Sequence, residues 1–307
     1  MDSQACAPIA LFVYNRAEHT RRTVEALRNN ALAAESDLFI FSDAPRSPEA
    51  QSAVREVRRY IATVDGFRAV TILERSENFG LARSVTSGVT RLIEEHGRAI
   101  VLEDDLVTSP HFLEYMNAAL RRYEHDEQVM QVAGYMFPVA LTPREDALFL
   151  PFISSWGWAT WGRAWRHFSR REDAFARILG DRATLHRFDL NGRYKYSKIL
   201  RAQLRNKVDS WAVFWYVTVF TRNGLVLYPS KTLVQNLGFD GSGVNCTVSK
   251  FDQDELDPNY RVRSFPESIA VSSLADKVMS GIPATRLSAA AVFTRLKALL
   301  PIRMARS

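Results

Sequence analysis

The 307-residue chain is long enough for one large α/β domain or two small ones, and its 47% apolar content can bury a sizeable core. Its 40 Lys and Arg residues outnumber its 34 Asp and Glu residues, so the formal charge of +6 mildly favours anionic partners. This excess is too small to indicate nucleic-acid binding, and we expect no nucleic-acid partner.

Cysteine usage and the length of the apolar runs bear on the compartment. The two cysteines, Cys6 and Cys246, are far apart and offer neither a disulfide framework nor metal-ligand spacing. No signal-like segment precedes the first strand-like run, and all apolar runs are shorter than the roughly 20 residues of a spanning helix. We therefore expect a cytoplasmic protein, either soluble or peripheral at the inner face of the cell membrane.

The first 105 residues alternate short apolar runs with amphipathic stretches, which predicts a mostly parallel sheet with crossover helices. The predicted strands are Ile9–Tyr14, Leu38–Ser42, Val70–Leu73 and Ala99–Leu102. Helices are predicted after Ser47-Pro48, with Ser47 as the N-cap, from about Leu81, and after Ser109-Pro110. Right-handed crossovers place the C-terminal ends of the strands at one edge, where open α/β sheets bind ligands.

The rest of the chain is less regular. Phe, Trp and Tyr become dense between Phe149 and Tyr228, which we interpret as the part that faces an acceptor. Residues 266–307 form a C-terminal basic tail that has no acidic residue from Gly281 onward. Two interpretations of this tail stay open: an amphipathic helix on an anionic membrane surface, or a helix packed on the domain with a frayed end.

The strongest local signal is the triplet Glu103-Asp104-Asp105 at the end of a buried strand. Adjacent carboxylates repel one another, so a cation or several hydrogen-bond donors should accompany them. Hard oxygen ligands suit Mg²⁺ or Mn²⁺, which in turn bridge phosphate oxygens. Because alternate residues of a strand point in opposite directions, we expect Glu103 and Asp105 on one side and Asp104 on the other. A solvated turn is the alternative for an isolated acidic triplet.

Further candidates for donor binding lie at other predicted strand and helix ends. Arg16 can pair with a phosphate through its guanidinium, although an ordinary surface Arg is the alternative. Asp43 can accept the imide hydrogen of a uracil or cap the following turn. Asn78, Arg83 and Ser84 lie around a helix start, which suits either phosphate contact or a plain helix terminus.

The aromatic-rich half supplies a candidate base and candidate stacking faces. Asp209 precedes the aromatic stretch that begins at Trp211, and a carboxylate beside apolar rings can deprotonate a sugar hydroxyl. The equally weighted alternative is that Asp209 is a helix N-cap. Trp156 and Trp158 can stack on a sugar ring, although Trp is more often core.

A glycine-rich segment, Gly238–Cys246, follows the aromatic stretch. Its residues Gly241, Ser242 and Gly243 have the freedom expected of a loop that closes over a bound donor. A passive surface loop is the alternative.

These motifs, in this order, resemble the GT-A glycosyltransferases, most closely the N-acetylglucosaminyltransferase I family and its bacterial relatives. The resemblance spans roughly Pro8 to Cys246, and its most specific part runs from Val101 to Phe112. It implies a GT-A, Rossmann-like sheet flanked by helices. It also implies that Arg16 contacts the donor phosphate and that Asp43 binds uracil.

The same resemblance assigns roles to the acidic residues. The last Asp of the Glu-Asp-Asp motif binds Mn²⁺ in that family, so Asp105 inherits the metal, while Glu103 and Asp104 reach the sugar nucleotide. Asp209-Ser210-Trp211 falls where the family keeps Asp-Asp-Trp, so Asp209 inherits the catalytic base with one acid instead of two. The Golgi anchor and stem of the family are lacking and the basic tail is extra, so neither acceptor nor compartment is inherited.

The residues and the resemblance together predict a metal-dependent glycosyltransferase. It should transfer a hexosyl or N-acetylhexosaminyl group with inversion, using Mn²⁺ or Mg²⁺, from a nucleoside-diphosphate donor, with UDP favoured. The acceptor should be a hydroxyl of a glycan or a lipid-linked glycan. We predict one domain over residues 1–265, in which residues 8–110 bind the nucleotide sugar and residues 111–265 bind the acceptor.

Two other functions stay open. A nucleotidyltransferase acting on sugar phosphates would be expected to carry a glycine-rich loop after the first strand, and Tyr14–Glu18 has no glycine. A catalytically silent carbohydrate-binding protein would keep the aromatic half but show no metal-linked nucleotide binding.

Overall fold

An eight-stranded sheet lies at the centre of the molecule in a computed structural model, which describes residues 5–142, 144–169, 172–240 and 256–282. The strands in the described residues are β1 Ile9–Val13, β2 Asp37–Ser42, β3 Ala69–Glu74, β4 Arg98–Glu103, β5 Leu106–Thr108, β6 Val129–Ala133, β7 Ala147–Leu150, β8 Trp158–Trp161, β9 Leu225–Pro229 and β10 Val234–Asn236. The order across the large sheet is β3-β2-β1-β4-β8-β6-β9-β7, and β10 pairs with β5 in a separate ribbon.

Helices cover both faces of this sheet. Those in the described residues are α1 Ala17–Arg28, α2 Gln51–Ile61, α3 Gly80–His96, α4 Phe112–Arg122, α5 Gly162–Trp165, α6 Glu172–Gly180, α7 Arg182–Phe188, α8 Tyr196–Leu204, α9 Trp211–Thr221 and α10 Ala275–Gly281. Short 3₁₀ turns lie at Ala33–Glu35 and Pro48–Ala50. Ser47 is the N-cap residue of the 3₁₀ turn that leads into α2, with Pro48 at its start as predicted, but the Ser47 side chain makes no capping hydrogen bond.

The first four strands are parallel, as predicted, and each predicted strand matches an observed one to within a residue or two. β1 pairs with β2 on one side and with β4 on the other, where Phe12 lies opposite Glu103. The chain therefore reverses its direction of winding between β1 and β4. In open α/β sheets the crevice beyond the strand ends at such a switch point is the ligand site.

The second half of the sheet is mixed. β8 runs antiparallel to both β4 and β6, while β9 is parallel to β6 and antiparallel to β7. The predicted fold class, α/β with a mostly parallel sheet flanked by helices and an aromatic-rich half, is confirmed.

Helix α9 runs through the aromatic core, and most of its residues are buried. The ring of Trp211 stacks on that of Trp158 with 5.0 Å between centroids. The indole N–H of Trp215 donates to the Gln131 side-chain oxygen over 2.8 Å, which satisfies a polar group in an apolar interior. A helix that is buried all round carries no polar stripe, and this explains the nearly unbroken apolar run.

The described part of the C-terminal tail packs on the domain. The hydroxyl of Tyr123 donates to the Pro266 carbonyl over 2.7 Å, and the Ser272 amide donates to the Phe149 carbonyl over 2.9 Å. Val278 of α10 is completely buried. Residues 283–307 lie outside the described residues, so a membrane contact of the tail stays a prediction. No helix among the described residues has the length and apolarity to cross a membrane.

Candidate functional site

A cleft of about 450 Å³ opens at the C-terminal edge of β1 and β4. Its lining includes the residues that follow these strands and residues at and before the start of α9. Predicted site residues that line it are Arg16, Asp43, Ser84, Glu103, Asp104, Asp105, Trp156, Asp209 and Trp211. Asn78, Arg83 and Trp158 are not in its lining, and Gly241, Ser242 and Gly243 lie outside the described residues.

Arg16 and the acidic triplet form one charged cluster on the floor of the cleft. A terminal nitrogen of Arg16 donates to Asp105 Oδ2 over 2.8 Å and also to Asp104 Oδ1. The expected alternation of the acidic side chains is therefore wrong for Asp104 and Asp105. β4 ends at Glu103, and the turn that follows brings both Asp carboxylates to the same nitrogen.

The protonation of this cluster follows from its surroundings. Burial raises the pKa of Glu103 to about 8, and the negative charges of Asp105 and Asp104 add to the effect. Burial also raises the pKa of Asp104 to about 6, although the Arg16 charge opposes this. Burial would lower the pKa of Arg16, but Asp104 and Asp105 raise it above its ordinary value. Two aspartates thus share one guanidinium beside the Glu103 carboxyl group, and a further cation would relieve the repulsion among these acidic groups.

Backbone contacts fix the position of the two aspartates. The Thr23 hydroxyl of α1 donates to the Asp104 carbonyl over 2.8 Å. The Leu237 amide donates to the Asp105 carbonyl over 2.8 Å, which places Gly238 against the Asp105 carboxylate. A Cβ at Gly238 would lie 2.2 Å from Asp105 Oδ2, so the close approach requires glycine.

Asp43 ties the end of β2 to the start of α3. Its carboxylate accepts from the amides of Ala44, Phe79 and Gly80 over 2.8–2.9 Å and from the Asn78 side chain over 3.1 Å. A carboxylate has about four lone-pair sites, and these four donors fill them. Beside the predicted alternatives of a uracil contact and a local turn cap, Asp43 thus has a third role, which is to anchor the start of α3.

Neighbouring residues of α3 differ in whether they face solvent or line the cleft. Arg83 is exposed, pairs with Glu77 over 3.1 Å, and lies 3.6 Å from the centroid of the Phe79 ring. Ser84, one residue further along α3, is buried and lines the cleft. Of these two residues predicted to bind the donor, Ser84 lies in the lining of the cleft and Arg83 does not.

Asp209 lines the cleft just before the start of α9. The N-cap of this helix is Ser210, whose hydroxyl accepts from the Val213 amide over 3.4 Å and whose own amide donates to Gln203 Oε1 over 2.8 Å. The cap interpretation of Asp209 is therefore wrong, because the helix begins one residue later. Asp209 is instead one of the residues that line the cleft.

The two tryptophans differ in what they offer to a ligand. Trp156 is half-buried in the cleft wall, where it packs edge-on against Tyr135 and Phe239. Trp158 is only 1% exposed and stacks on Trp211, so it presents no face to the cleft.

Some residues that line the cleft were not predicted as site residues from the sequence, among them Ser155, Ile199, Val208 and Asn236. Asn236 ends β10 opposite Leu106, the residue that follows the acidic triplet, and its side-chain oxygen accepts from the Gly238 amide over 2.7 Å. Its signal in the sequence is an Asn two residues before a glycine, which is common in ordinary turns.

The donor set fits a divalent cation that shares its coordination with a ligand. Within the parts of the chain that the structure describes, no three His, Cys, Asp or Glu side chains form a ready metal cage. Mg²⁺ and similar ions are often held by one or two carboxylates together with substrate phosphates. Asp105 supplies a carboxylate of this kind on the floor of the cleft.

The model of the GNT-I family matches residues 1–137. That range contains Arg16, Asp43 and the acidic triplet, so it includes the charged floor of the cleft. The predicted resemblance of this part of the chain to a family of glycosyltransferases is thereby confirmed.

Two solved structures resemble this chain distantly. TarS of S. aureus has a TM-score of 0.41 and 9% identity, over 74% of this chain and 36% of that chain. The mannosyltransferase PcManGT from Pyrobaculum calidifontis, in complex with GDP-Man and Mn²⁺, has a TM-score of 0.33 and 15% identity, over 58% and 48%. The matches span less than half the length of either structure. Curated protein sequences give no match.

Proposed function

We propose that this glycosyltransferase moves a hexosyl or N-acetylhexosaminyl group from a nucleoside-diphosphate sugar, with UDP favoured, to a hydroxyl of a glycan or lipid-linked glycan. The reaction is metal-dependent and inverting. The observation that carries the proposal is the Arg16–Asp104–Asp105 cluster at the switch point of the sheet, on the floor of a cleft of about 450 Å³.

The cluster side of the cleft binds the donor. One terminal nitrogen of Arg16 donates to carboxylate oxygens of Asp104 and Asp105, and a guanidinium can likewise donate to the oxygens of a diphosphate. Asp105 holds Mn²⁺ or Mg²⁺, which when bound supplies Lewis-acid stabilisation of the departing diphosphate. Glu103 and Asp104 bind hydroxyl groups of the sugar and the ribose. Residues 8–110 thus form the nucleotide-sugar half.

The opposite side binds the acceptor. Asp209 removes the proton from the attacking hydroxyl, and Trp156 stacks on a sugar ring. Inversion needs the attack to come from the side opposite the leaving diphosphate. Asp209 and the charged cluster line the same cleft, which supports their action on one donor–acceptor pair. Residues 111–265 form the acceptor half.

The proposal is tested by calorimetric titration of nucleotide sugars with and without Mn²⁺. We expect UDP-sugars to bind the wild-type protein in a metal-linked manner, and the Asp105→Asn variant to lose that linkage. Asp65→Asn, on an exposed carboxylate far from the cleft lining, is the control and should bind as wild type does. A protein that binds no nucleotide sugar, or binds it equally without metal, would be a carbohydrate-binding scaffold instead.

A further inference from the structure

One short stretch beside the cleft concentrates positive charge. Residues 190–208 contain six Lys and Arg residues and no Asp or Glu. The net charge of the whole chain is +6, so the rest of the sequence is balanced between acidic and basic residues. This stretch includes α8 and leads directly to Asp209.

The charges lie on the solvent side of α8. Lys198, Arg201 and Arg205 follow one another at spacings of three and four residues, which places them on one helix face. They are exposed, while Ser197, Leu200 and Gln203 on the other face are buried. We call the exposed residues, with Lys207 in the following turn, the α8 basic face.

The α8 basic face has no acidic partner in the described part of the chain. None of Lys198, Arg201, Arg205 and Lys207 forms an ion pair there, whereas exposed arginines elsewhere often do. Two carboxylates flank the stretch in sequence: Asp189 is buried and is held by Ser197 and, at 3.8 Å, by Lys195, and Asp209 lines the cleft.

The clustering of positive charges on one face of α8 lowers the stability of the free protein. Like charges three or four residues apart on a helix repel one another. The helix dipole favours Arg201 and Arg205 near the C-terminal end, but it disfavours Lys198 in the first turn. An anion bound across these side chains would offset the repulsion.

The position of the face identifies the anion as part of the acceptor. Ile199 and Val208, the chain neighbours of Lys198 and Lys207, both line the cleft. A ligand whose hydroxyl reaches Asp209 would extend from the cleft mouth along α8. The alternative of a membrane surface is disfavoured, because an interfacial helix needs an exposed apolar face and α8 exposes one large apolar side chain, Leu204.

We propose that the α8 basic face binds the oxyanion groups of a negatively charged glycan acceptor and aligns its hydroxyl with Asp209. The inference rests on the proposed sugar transfer and adds the substrate class: an acceptor that carries phosphate or carboxylate groups near the glycosylated hydroxyl.

Two triple variants of the full chain test this surface with the same change in charge. The test variant is Lys198→Gln/Arg201→Gln/Arg205→Gln. The control is Arg22→Gln/Arg55→Gln/Arg59→Gln on α1 and α2, whose side chains are exposed, form no ion pair among the described residues and lie outside the cleft lining. The probes are fluorescein-labelled dextran sulfate, neutral dextran of equal length, and vesicles of phosphatidylcholine with or without phosphatidylglycerol.

We expect the wild-type and control proteins to bind dextran sulfate but not neutral dextran. The test variant should bind about tenfold more weakly, because three exposed charge contacts contribute a little over 1 kcal/mol together, or about tenfold in affinity. Equal weakening in both variants would show that only net charge matters and would overturn the proposal. Binding of anionic vesicles through the α8 residues, without binding of dextran sulfate, would also overturn it.

Titration of UDP-sugars with Mn²⁺ on the same variants separates this inference from the proposed function. The test variant should retain wild-type nucleotide binding. If the wild-type protein binds no nucleotide sugar, the proposed function fails, whatever the dextran sulfate result. If nucleotide binding is intact and dextran sulfate binding is unaffected by the test variant, the inference about α8 fails alone.

Discussion

Arg16 donates a hydrogen bond over 2.8 Å to Oδ2 of Asp105, the residue proposed to hold the metal. In the metal-free protein the guanidinium thus provides the positive charge that a divalent cation would bring. The two residues are 89 positions apart and meet because β1 and β4 are neighbours in the sheet.

Removing the guanidinium should expose the repulsion among the carboxylates. We expect Arg16→Ala to lower the free energy of unfolding by about 2 kcal/mol, since it leaves two largely buried carboxylates without their partner. Mn²⁺ should restore part of this loss. Chemical denaturation with EDTA or with Mn²⁺ measures both effects.

Arg68→Ala is the matched control for Arg16→Ala. Arg68 pairs with Asp37 over 2.8 Å, but its side chain is half exposed. Its loss should cost less than about 1 kcal/mol and should not respond to Mn²⁺. Equal losses in the two variants, or no rescue by Mn²⁺, would contradict the charge-compensation account.

The Glu103 carboxyl should make the metal-free protein less stable at alkaline pH. Burial raises the pKa of Glu103 from the ordinary 4.5 to about 8, so the folded protein holds this proton more tightly than the unfolded chain. The contribution is fully present below pH 4.5 and is lost as the pH rises through 8. Asp104, with its pKa raised to about 6, acts in the same direction.

Denaturation in EDTA at pH 5 and pH 9 checks this prediction. The fall in stability between these values should be smaller in Glu103→Gln than in the wild type, because Gln cannot ionise. Glu56→Gln, on the exposed side of α2, should leave the fall unchanged. Parallel pH profiles for wild type and Glu103→Gln would show that this carboxyl does not titrate as described.

A methyl group at Gly238 should disturb the metal site. The added Cβ would lie 2.2 Å from Asp105 Oδ2, so either the carboxylate or the 237–240 backbone must move. The strain is about 1–3 kcal/mol, and we expect Gly238→Ala to weaken Mn²⁺-linked nucleotide binding by about tenfold. Titration calorimetry of UDP-sugars measures it.

Gly180→Ala provides the comparison, because no atom lies within 4 Å of its added Cβ. This variant should bind nucleotide as the wild type does. Undiminished binding by Gly238→Ala would mean that the close contact with Asp105 is not needed in the bound state.

Asp43 should matter for the fold as well as for any contact with the base. In Asp43→Asn the side-chain amide turns a donor toward groups that are themselves donors, including the Gly80 amide at 2.9 Å from Oδ2. We expect a loss of about 1–3 kcal/mol in the free energy of unfolding. Asp181→Asn, at the exposed N-cap of α7, should cost less. Wild-type stability in Asp43→Asn would contradict the anchoring role.

The sequence predicts the first half of the fold well, because β1, β2 and β4 are largely buried apolar runs that are separated by polar and turn-forming segments. Helix α1 was missed because its buried face includes Thr20 and Thr23, which interrupt the apolar periodicity. Thr23 is buried for a reason that the sequence cannot show, namely its hydrogen bond to the Asp104 carbonyl 81 residues away.

The sequence predicted which residues belong to the site but not how their side chains are arranged. The alternation of side chains along a strand gave the wrong direction for Asp104, because β4 ends one residue earlier. Apolar character alone could not distinguish the buried Trp158 from Trp156, which lines the cleft. The contact of Arg16 with Asp105 depends on strand order, which local pattern does not encode.

The assignment of the cleft as the transferase site can be tested by measuring the rate of Mn²⁺-dependent UDP release from a panel of UDP-sugars, with water as the acceptor. We expect the wild-type protein to release UDP. The rate of release should fall by about 100-fold or more in Asp105→Asn and by a smaller factor in Asp209→Asn, and both variants should keep the fold intact. Wild-type rates in Asp105→Asn at saturating Mn²⁺ would contradict the assignment of this cleft as the transferase site.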